Sequence, residues 1–125
     1  MKDELYYLDG TCLGELYHFD LYQDLAEETA VYPNKGDNLY YPALGLAGEA
    51  GEVCEKIKKI MRDQKGHLTK ENAEELVKEL GDVLWYVANL ACEINSTLSN
   101  VAETNLRKLK DRKDRGVLKG SGDNR

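Results

Sequence analysis

The amino-acid sequence predicts an all-α fold, a four-helix bundle in a single domain. Apolar residues recur at three- and four-residue spacing in four segments, which is the pattern of amphipathic helices. No segment alternates convincingly between apolar and polar residues, as a half-buried strand would. A chain of 125 residues is long enough for one hydrophobic core. We expect residues 1–18 to form an N-terminal arm, residues 19–116 the helical domain and residues 117–125 a polar C-terminal tail.

The first two helices are bounded by proline and glycine. The first is predicted from Phe19 to Tyr32, and Pro33 follows it. The second begins near Pro42, a residue tolerated in a first turn, and runs to about Asp63. Its three-and-four spacing predicts a buried apolar seam made of Ala47, Ala50, Cys54, Ile57 and Met61.

The third helix has the most regular spacing of apolar residues. Thr69 is placed to cap its N-terminus, and acidic residues follow in the early turns. It stops near Asn95, after which Thr97 or Ser99 caps a fourth helix. The third seam consists of Ala73, Val77, Leu80, Leu84, Val87, Ala91 and Ile94. The fourth consists of Leu98, Val101 or Ala102, Leu106 and Leu109, and Gly116 marks its end.

The composition argues against several classes of protein. No apolar run approaches the ~20 residues that span a bilayer, so no membrane association is expected. The N-terminus lacks the basic-then-apolar pattern of a signal peptide, which favours the cytoplasm. Cys12, Cys54 and Cys92 have no metal-type spacing, and we expect reduced thiols packed in the core.

The charge is distributed unevenly along the chain. Residues 107–125 carry eight Lys/Arg and three Asp/Glu, a net of +5, which leaves −11 for the first 106 residues out of −6 overall. Proteins that bind duplex nucleic acid usually present a basic face, so no nucleic-acid partner is expected. An acidic body with a basic end suits a ligand that needs cations and positive side chains side by side.

Two pairs of carboxylates share the same three-residue offset. Glu49 and Glu52 lie about 60° apart on one face of the second helix. Glu79 and Asp82 repeat this offset on the third helix, beside its apolar seam. If these helices pack as neighbours, the four carboxylates converge, and their mutual repulsion must then be neutralised. Oxygen-only, histidine-free sites suit hard cations such as Mg²⁺ or Mn²⁺.

The alternative is that these are ordinary solvated helix residues, with Glu52 paired to Lys56 one turn later. The glycines of "GLAGEAGEV", at positions 45, 48 and 51, are poor helix formers. They either permit close helix packing or leave room for a metal ion and phosphates.

The order and flanks of these motifs resemble a known family. "LGLAGEAGEV" and "KELGDVLWYVANLA" resemble the two metal-binding helices of the MazG-like all-α nucleoside triphosphate pyrophosphohydrolases. "NLRKLKDRKDRG" resembles the small single-domain branch of bacteria and phages. The resemblance covers residues ~20–125, with no departure at the four acidic positions, whereas residues 1–18 match nothing we can place.

The resemblance implies a Mg²⁺-dependent enzyme, with Mn²⁺ as a possible substitute. Such an enzyme cleaves a nucleoside or deoxynucleoside triphosphate between its α and β phosphates, giving the monophosphate and pyrophosphate. By carry-over, Glu49, Glu52, Glu79 and Asp82 are the metal ligands. Glu49 or Glu52 also orients or deprotonates the attacking water, and is in that sense catalytic. The expected compartment is the bacterial cytoplasm, or the host cytoplasm if the gene is carried by a phage.

The resemblance also suggests where the substrate binds. Asn105, Lys108 and Arg112 share one face of the fourth helix and are expected to contact phosphates, as is Lys56 on the glutamate face. Arg125 is a further phosphate candidate if the tail acts as a flexible lid; the alternative is an ordinary disordered terminus. The candidates for base binding are Tyr86, Asn89, Trp85, Tyr22 and Gln23.

Two further expectations concern assembly and rival functions. Trp85 has no obvious place in a small core, and members of the family assemble from protomers, so a homodimer or homotetramer is expected. Relatives that cleave dUTP or phosphoribosyl-ATP share this scaffold, and the sequence does not identify the base. A non-catalytic helical interaction protein with merely solvated carboxylates is the alternative from another class.

Overall fold

The computed structural model describes residues 7–8, 11–12 and 18–122, and these form an all-α fold as predicted. Two-residue strands, β1 (Tyr7–Leu8) and β2 (Thr11–Cys12), pair antiparallel ahead of the helices. The helices are α1 (Phe19–Glu28), α2 (Tyr40–Gln64), α3 (Lys70–Glu93) and α4 (Leu98–Asp114). In the described part of the chain, none of these helices is both long and apolar enough to cross a membrane.

The helix boundaries follow local chemistry. The hydroxyls of Thr69 and Thr97 accept hydrogen bonds from backbone N–H groups at the starts of α3 and α4, which confirms both caps. Lys65 and Gly66 adopt positive φ after α2 and turn the chain so that α3 runs back antiparallel to α2. Helix α1 ends at Glu28, four residues earlier than predicted, because the Thr29 hydroxyl bonds the Ala26 carbonyl at 2.8 Å.

One small core joins α1, α3 and α4. Ala26, Ala88 and Leu98 are buried together at its centre. Tyr22, Trp85 and Val87 pack against this group. The expectation that Trp85 lacks a place in the core was therefore wrong. Its indole N–H also donates to the Thr29 hydroxyl at 2.7 Å, so the ring is fixed between α3 and the end of α1.

A buried glutamine ties the same three helices together. The amide nitrogen of Gln23 donates to the carbonyl of Ser96 at 3.0 Å and lies 3.4 Å from that of Ala88 and 3.3 Å from the sulfur of Cys92. Its amide oxygen accepts from the backbone N–H of Leu98 at 2.7 Å. Both ends of the side chain are thus satisfied inside the protein, as a buried amide requires.

The segment between α1 and α2 is anchored by one carboxylate near the end of α3. Glu93 accepts hydrogen bonds from the hydroxyl of Tyr32 at 2.5 Å, the N–H of Gly36 at 2.9 Å and the N–H of Asn38 at 3.0 Å. These donors hold the pKa of Glu93 below its usual range. The anchor fixes the point at which α2 begins and therefore the position of its first turns.

The α2–α3 hairpin packs through unexpected faces. Most of the α2 residues that are at least partly buried follow one face of the helix: Pro42, Gly45, Glu49, Val53, Lys56 and Ile60. The predicted seam of α2 is exposed along its whole length, Cys54 included. Ile57 is 46% exposed and Met61 63%. Within a single chain, the prediction of a buried seam on α2 was wrong.

The other predicted seams are only partly buried. On α3, Ala91 is buried, but Val77 is 67% exposed and Leu80 53%. On α4, Leu98 is buried, whereas Leu106 is 66% exposed. Helix α2 packs almost entirely against α3. One face of the α2–α3 hairpin therefore has no neighbour within the described chain.

Candidate metal and nucleotide site

Three carboxylates from two helices meet on the hairpin. Glu49 of α2 and Glu79 and Asp82 of α3 each offer an oxygen within 4.8 Å of the others. The antiparallel packing of α2 and α3 brings these sequence-distant residues together, as the convergence argument required. An all-oxygen donor set at this separation fits a hard divalent cation.

Glu52 lies at the margin of this group. It is exposed and is not among the three carboxylates that meet within 4.8 Å. Its negative charge nevertheless contributes to raising the pKa of Glu49. Glu52 is thus near the cluster electrostatically, and its role as a fourth ligand stays a prediction.

The cluster carries electrostatic strain. The pKa of Glu49 is raised, first by partial loss of hydration and then by the negative charges of Asp82, Glu79 and Glu52. A bound cation would relieve this repulsion, because it favours the ionised form of every carboxylate around it. The electrostatics of the site therefore agree with its geometry.

Lys56 is the positive group beside the cluster. Its ammonium lies 3.3 Å from Glu79 and 2.8 Å from Glu75, one turn earlier on α3. These carboxylates raise the pKa of Lys56, the Glu75 hydrogen bond being the largest cause. The alternative pairing of Lys56 with Glu52 is not the one observed. A phosphate role for Lys56 stays a prediction.

An aromatic group borders the acidic cluster. The ring of Tyr86 lies edge-on to Trp85, with centroids 4.9 Å apart, and tilted against Tyr41 at 6.5 Å. Tyr41 in turn stacks on Tyr32 at 4.8 Å. Burial is the main cause of the raised pKa of Tyr86, and the negative charges of Glu49 and Asp82 contribute to it.

Gly45 makes room for this tyrosine. A Cβ on Gly45 would lie 2.1 Å from the Tyr86 ring, so no larger residue fits there without movement. Gly48 and Gly51 face open space within the described chain. Of the three glycines noted in the sequence, one therefore permits close packing, and the structure gives the other two no packing role inside the protomer.

Asn89 lies one turn beyond Tyr86 on the same face of α3. It is fully buried, and its amide nitrogen donates to the Trp85 carbonyl at 3.0 Å. Its amide oxygen is buried and has no hydrogen-bond partner among the described residues. A buried acceptor without a donor is rare in folded proteins, which marks this atom as a candidate ligand contact.

The remaining base candidates lie on α1. Tyr22 is close enough to Asp82 for that charge to contribute to its raised pKa, after the effect of burial. Gln23 lies in the interior with both amide ends engaged, as described above. Base contacts by Tyr22, Gln23 and Trp85 stay predictions, and for Gln23 such a contact would require its interior hydrogen bonds to open.

The candidates for phosphate binding on α4 have different surroundings. Asn105 is exposed, Lys108 is half-buried, and Arg112 is only 4% exposed. The guanidinium of Arg112 donates to the carbonyl of Gly122 at 3.3 Å and so holds the C-terminal segment against α4. Arg125 lies outside the described residues.

Sequence reasoning missed Tyr41 and Glu75. Tyr41 lies in the first turn of α2 and stacks on Tyr32 of the α1–α2 segment. The spacing of apolar residues in α2 does not indicate this contact. Glu75 lies one turn before Glu79, and this i,i+4 relation on a glutamate-bearing face is the signal that could have identified it.

Comparison with known proteins supports the resemblance inferred from the motifs. A phage relative, the "Gene 37 protein" of Mycobacterium phage L5, is 54% identical over 113 residues, covering 86% of this chain and 99% of its own. No solved structure matches the chain significantly. Residues 42–117, which contain all four predicted carboxylates and nearly all of α2, α3 and α4, match the model of the MazG nucleotide pyrophosphohydrolase domain. This chain belongs to the MazG nucleotide pyrophosphohydrolase domain family.

Proposed function

We propose that the protein is a Mg²⁺-dependent nucleoside triphosphate pyrophosphohydrolase, for which Mn²⁺ can substitute. It would cleave a (d)NTP between the α and β phosphates to give the (d)NMP and pyrophosphate. The observation that carries this proposal is the meeting of Glu49, Glu79 and Asp82 within 4.8 Å, inside the segment that matches the family. A nucleotide substrate would place the protein in the cytoplasm.

The residues fit a divalent cation by donor type, spacing and charge. Glu49, Glu79 and Asp82 would hold it, with Glu52 as the fourth carboxylate. When bound, the cation supplies Lewis-acid polarisation of the α-phosphate and offsets the charge that develops on pyrophosphate.

Glu49 or Glu52 takes the proton of the attacking water. The water oxygen forms a bond to the α-phosphorus while the bond from that phosphorus to the α–β bridging oxygen breaks and pyrophosphate leaves. The bound cation would keep both carboxylates ionised, which is the form that accepts a proton. Lys56, Asn105, Lys108, Arg112 and Arg125 are proposed to position the phosphates.

The base would lie against the Tyr41–Tyr86 rings, which border the acidic cluster. The amide oxygen of Asn89 is the acceptor we propose for an N–H of the base, because it is buried and lacks a donor among the described residues. An acceptor alone does not choose between the bases that carry N–H groups, so dUTP and phosphoribosyl-ATP remain alternatives to be tested.

The test is a panel of dNTPs and NTPs, with and without Mg²⁺, in which pyrophosphate and orthophosphate are measured separately. We expect pyrophosphate release with at least one substrate, and a loss of about 100-fold or more in the double variant Glu52→Gln/Asp82→Asn. Glu74→Gln is the matched control, because Glu74 is an exposed carboxylate of α3 whose ion pair among the described residues is with Lys70 of the same helix. Release of orthophosphate instead of pyrophosphate would contradict the proposed position of cleavage. Release of neither product would contradict the proposal and favour a non-catalytic interaction protein.

We also propose that the protein is a homodimer or homotetramer. Ile57 and Met61 of α2 and Val77 and Leu80 of α3 expose large apolar side chains on the two helices of the hairpin. Such a surface on a small protein usually marks an interface. Leu80→Glu should shift the mass in light scattering to that of a smaller species, whereas Val31→Glu, at an exposed loop position, should not. A monomeric wild type would contradict the proposal.

A further inference from the structure

The ion pairs around Lys56 point to a role for a residue outside the metal-binding motif. Lys56 reaches across from α2 and lies between two carboxylates of α3, with its ammonium 2.8 Å from Glu75 and 3.3 Å from Glu79. Glu79 belongs to the group of three carboxylates, and Glu75 does not. The lysine therefore links the cluster to a carboxylate one helical turn away from it.

This arrangement creates a competition at Glu79. An ammonium beside a ligand carboxylate opposes the arrival of a second cation, because the two positive charges repel each other. The side chains of Lys56 and Glu79 are 29% and 19% exposed, so water screens their pair only in part. A cation that binds Glu79 must therefore displace Lys56 or share the carboxylate with it.

Glu75 gives the Lys56 ammonium an ion-pair partner other than Glu79. Lys56 and Glu75 both line a cavity of about 280 Å³ between α2 and α3, whose lining does not include Glu79. The shorter of the two ion pairs is already the one with Glu75. The ammonium can withdraw toward this cavity without losing a carboxylate partner.

We propose that Glu75 is a positioning residue that draws the Lys56 ammonium away from Glu79 and so frees Glu79 for the divalent cation. This inference rests on the proposed function, because it assigns Glu79 to the cation site. In it, Lys56 alternates between Glu79 and Glu75, and the cation site and the lysine are coupled through one shared carboxylate.

The test is a double-mutant cycle that measures Mn²⁺ affinity by electron paramagnetic resonance, without nucleotide and without turnover. In Glu75→Gln the lysine keeps only Glu79, and we expect Mn²⁺ to bind about fivefold more weakly. In Lys56→Met the competitor is gone, and binding should become about tenfold tighter. In Lys56→Met/Glu75→Gln the Glu75 substitution should have almost no further effect.

The last comparison separates this role from a simple charge effect. If Glu75 acted only through its charge at a distance, its removal would weaken Mn²⁺ binding equally in the Lys56→Met background, and that result would overturn the proposal. Glu74→Gln removes the same charge from the neighbouring position and should leave the affinity unchanged. Thermal unfolding of each variant confirms that it is folded.

The outcomes also distinguish this inference from the function on which it rests. Wild-type protein that fails to bind Mn²⁺ would overturn the cation site and, with it, the role of Glu75. Wild-type binding together with an unaltered Glu75→Gln variant would overturn the role of Glu75 alone and leave the proposed function intact.

Discussion

The two halves of α3 use their side chains in opposite ways. In the C-terminal half, Ala88, Asn89 and Ala91 are buried against neighbouring helices. In the N-terminal half, Val77 and Leu80 are exposed, while Glu79 faces α2 and shares the acidic cluster. The packed half therefore stabilises the chain, while the open half leaves carboxylates and apolar side chains accessible, as the proposed cation site and the proposed assembly require.

The largest stability effect should come from the packed half. Gln23→Leu leaves the Leu98 N–H and the Ser96 carbonyl without their side-chain partner in a buried position. We expect a loss of about 3 kcal/mol in the free energy of unfolding, measured by urea denaturation. Asp24→Ala, at the exposed neighbouring position, should change it by less than about 0.5 kcal/mol. Similar values for both variants would show that the interior amide does not hold the helices together.

A smaller loss is expected for Glu93→Gln, which weakens the anchor of the α1–α2 segment. We expect about 2 kcal/mol at pH 7, because three donors lose a charged acceptor. The pKa of Glu93 is lower in the folded protein, so its stabilisation is complete above the unfolded value of about 4.3 and is lost as pH falls through the folded value.

Urea denaturation of wild type and Glu93→Gln at several pH values tests whether the stabilisation by Glu93 is lost as its carboxylate becomes protonated. The difference between the two proteins should shrink as the pH falls from 7 toward 3. A difference that stays constant with pH would mean that the charge of Glu93 contributes nothing and that only its shape matters.

The next prediction concerns alanine substitutions at two glycines of α2. Gly45→Ala forces a Cβ against the ring of Tyr86 and should cost about 1 kcal/mol after the gain in helix propensity is subtracted. Gly48→Ala meets open space and should stabilise the protomer by up to about 1 kcal/mol. Thermal unfolding of both variants measures this difference. Equal shifts in melting temperature would contradict the close approach of Gly45 to Tyr86.

The smallest predicted change in stability is a gain, whereas Gln23→Leu and Glu93→Gln are expected to lower stability. Glu49→Gln removes one of several mutually repelling carboxylates, so the melting temperature without metal should rise slightly. We expect Mg²⁺ to raise the melting temperature of the wild type, and this rise should be absent in the variant. A Glu49→Gln protein that is less stable without metal, or that still responds to Mg²⁺, would contradict the electrostatic strain assigned to the cluster.

Periodicity and caps predicted the existence of the four helices, because these signals are local. Residue type and position identified Thr69 as a cap and left Thr97 or Ser99 for α4, and the structure shows Thr69 and Thr97 as the caps. The faces of α2 were assigned wrongly, because apolar spacing shows which residues share a helix face but not whether another part of the same chain packs against that face. Ile57 and Met61 follow a core pattern and yet are exposed in the protomer.

The candidate site was predictable only in part, for a similar reason. The three-residue offsets in α2 and α3 identified Glu49, Glu79 and Asp82, since spacing fixes which residues share a helix face. The pairing of Lys56 with Glu75 and the stacking of Tyr41 depend on how one helix lies against another segment. Contacts of this kind are set by tertiary packing and leave no period in the sequence.

The position of Trp85 gives the protein a built-in optical reporter. It is the only tryptophan in the 125 residues, and its indole lies edge-on to Tyr86 while its N–H is held by Thr29. Selective excitation of indole therefore reads one location, between the aromatic border of the acidic cluster and the end of α1. Emission intensity and wavelength should respond to nucleotide at one side of the ring and to detachment of α1 at the other, without any attached dye.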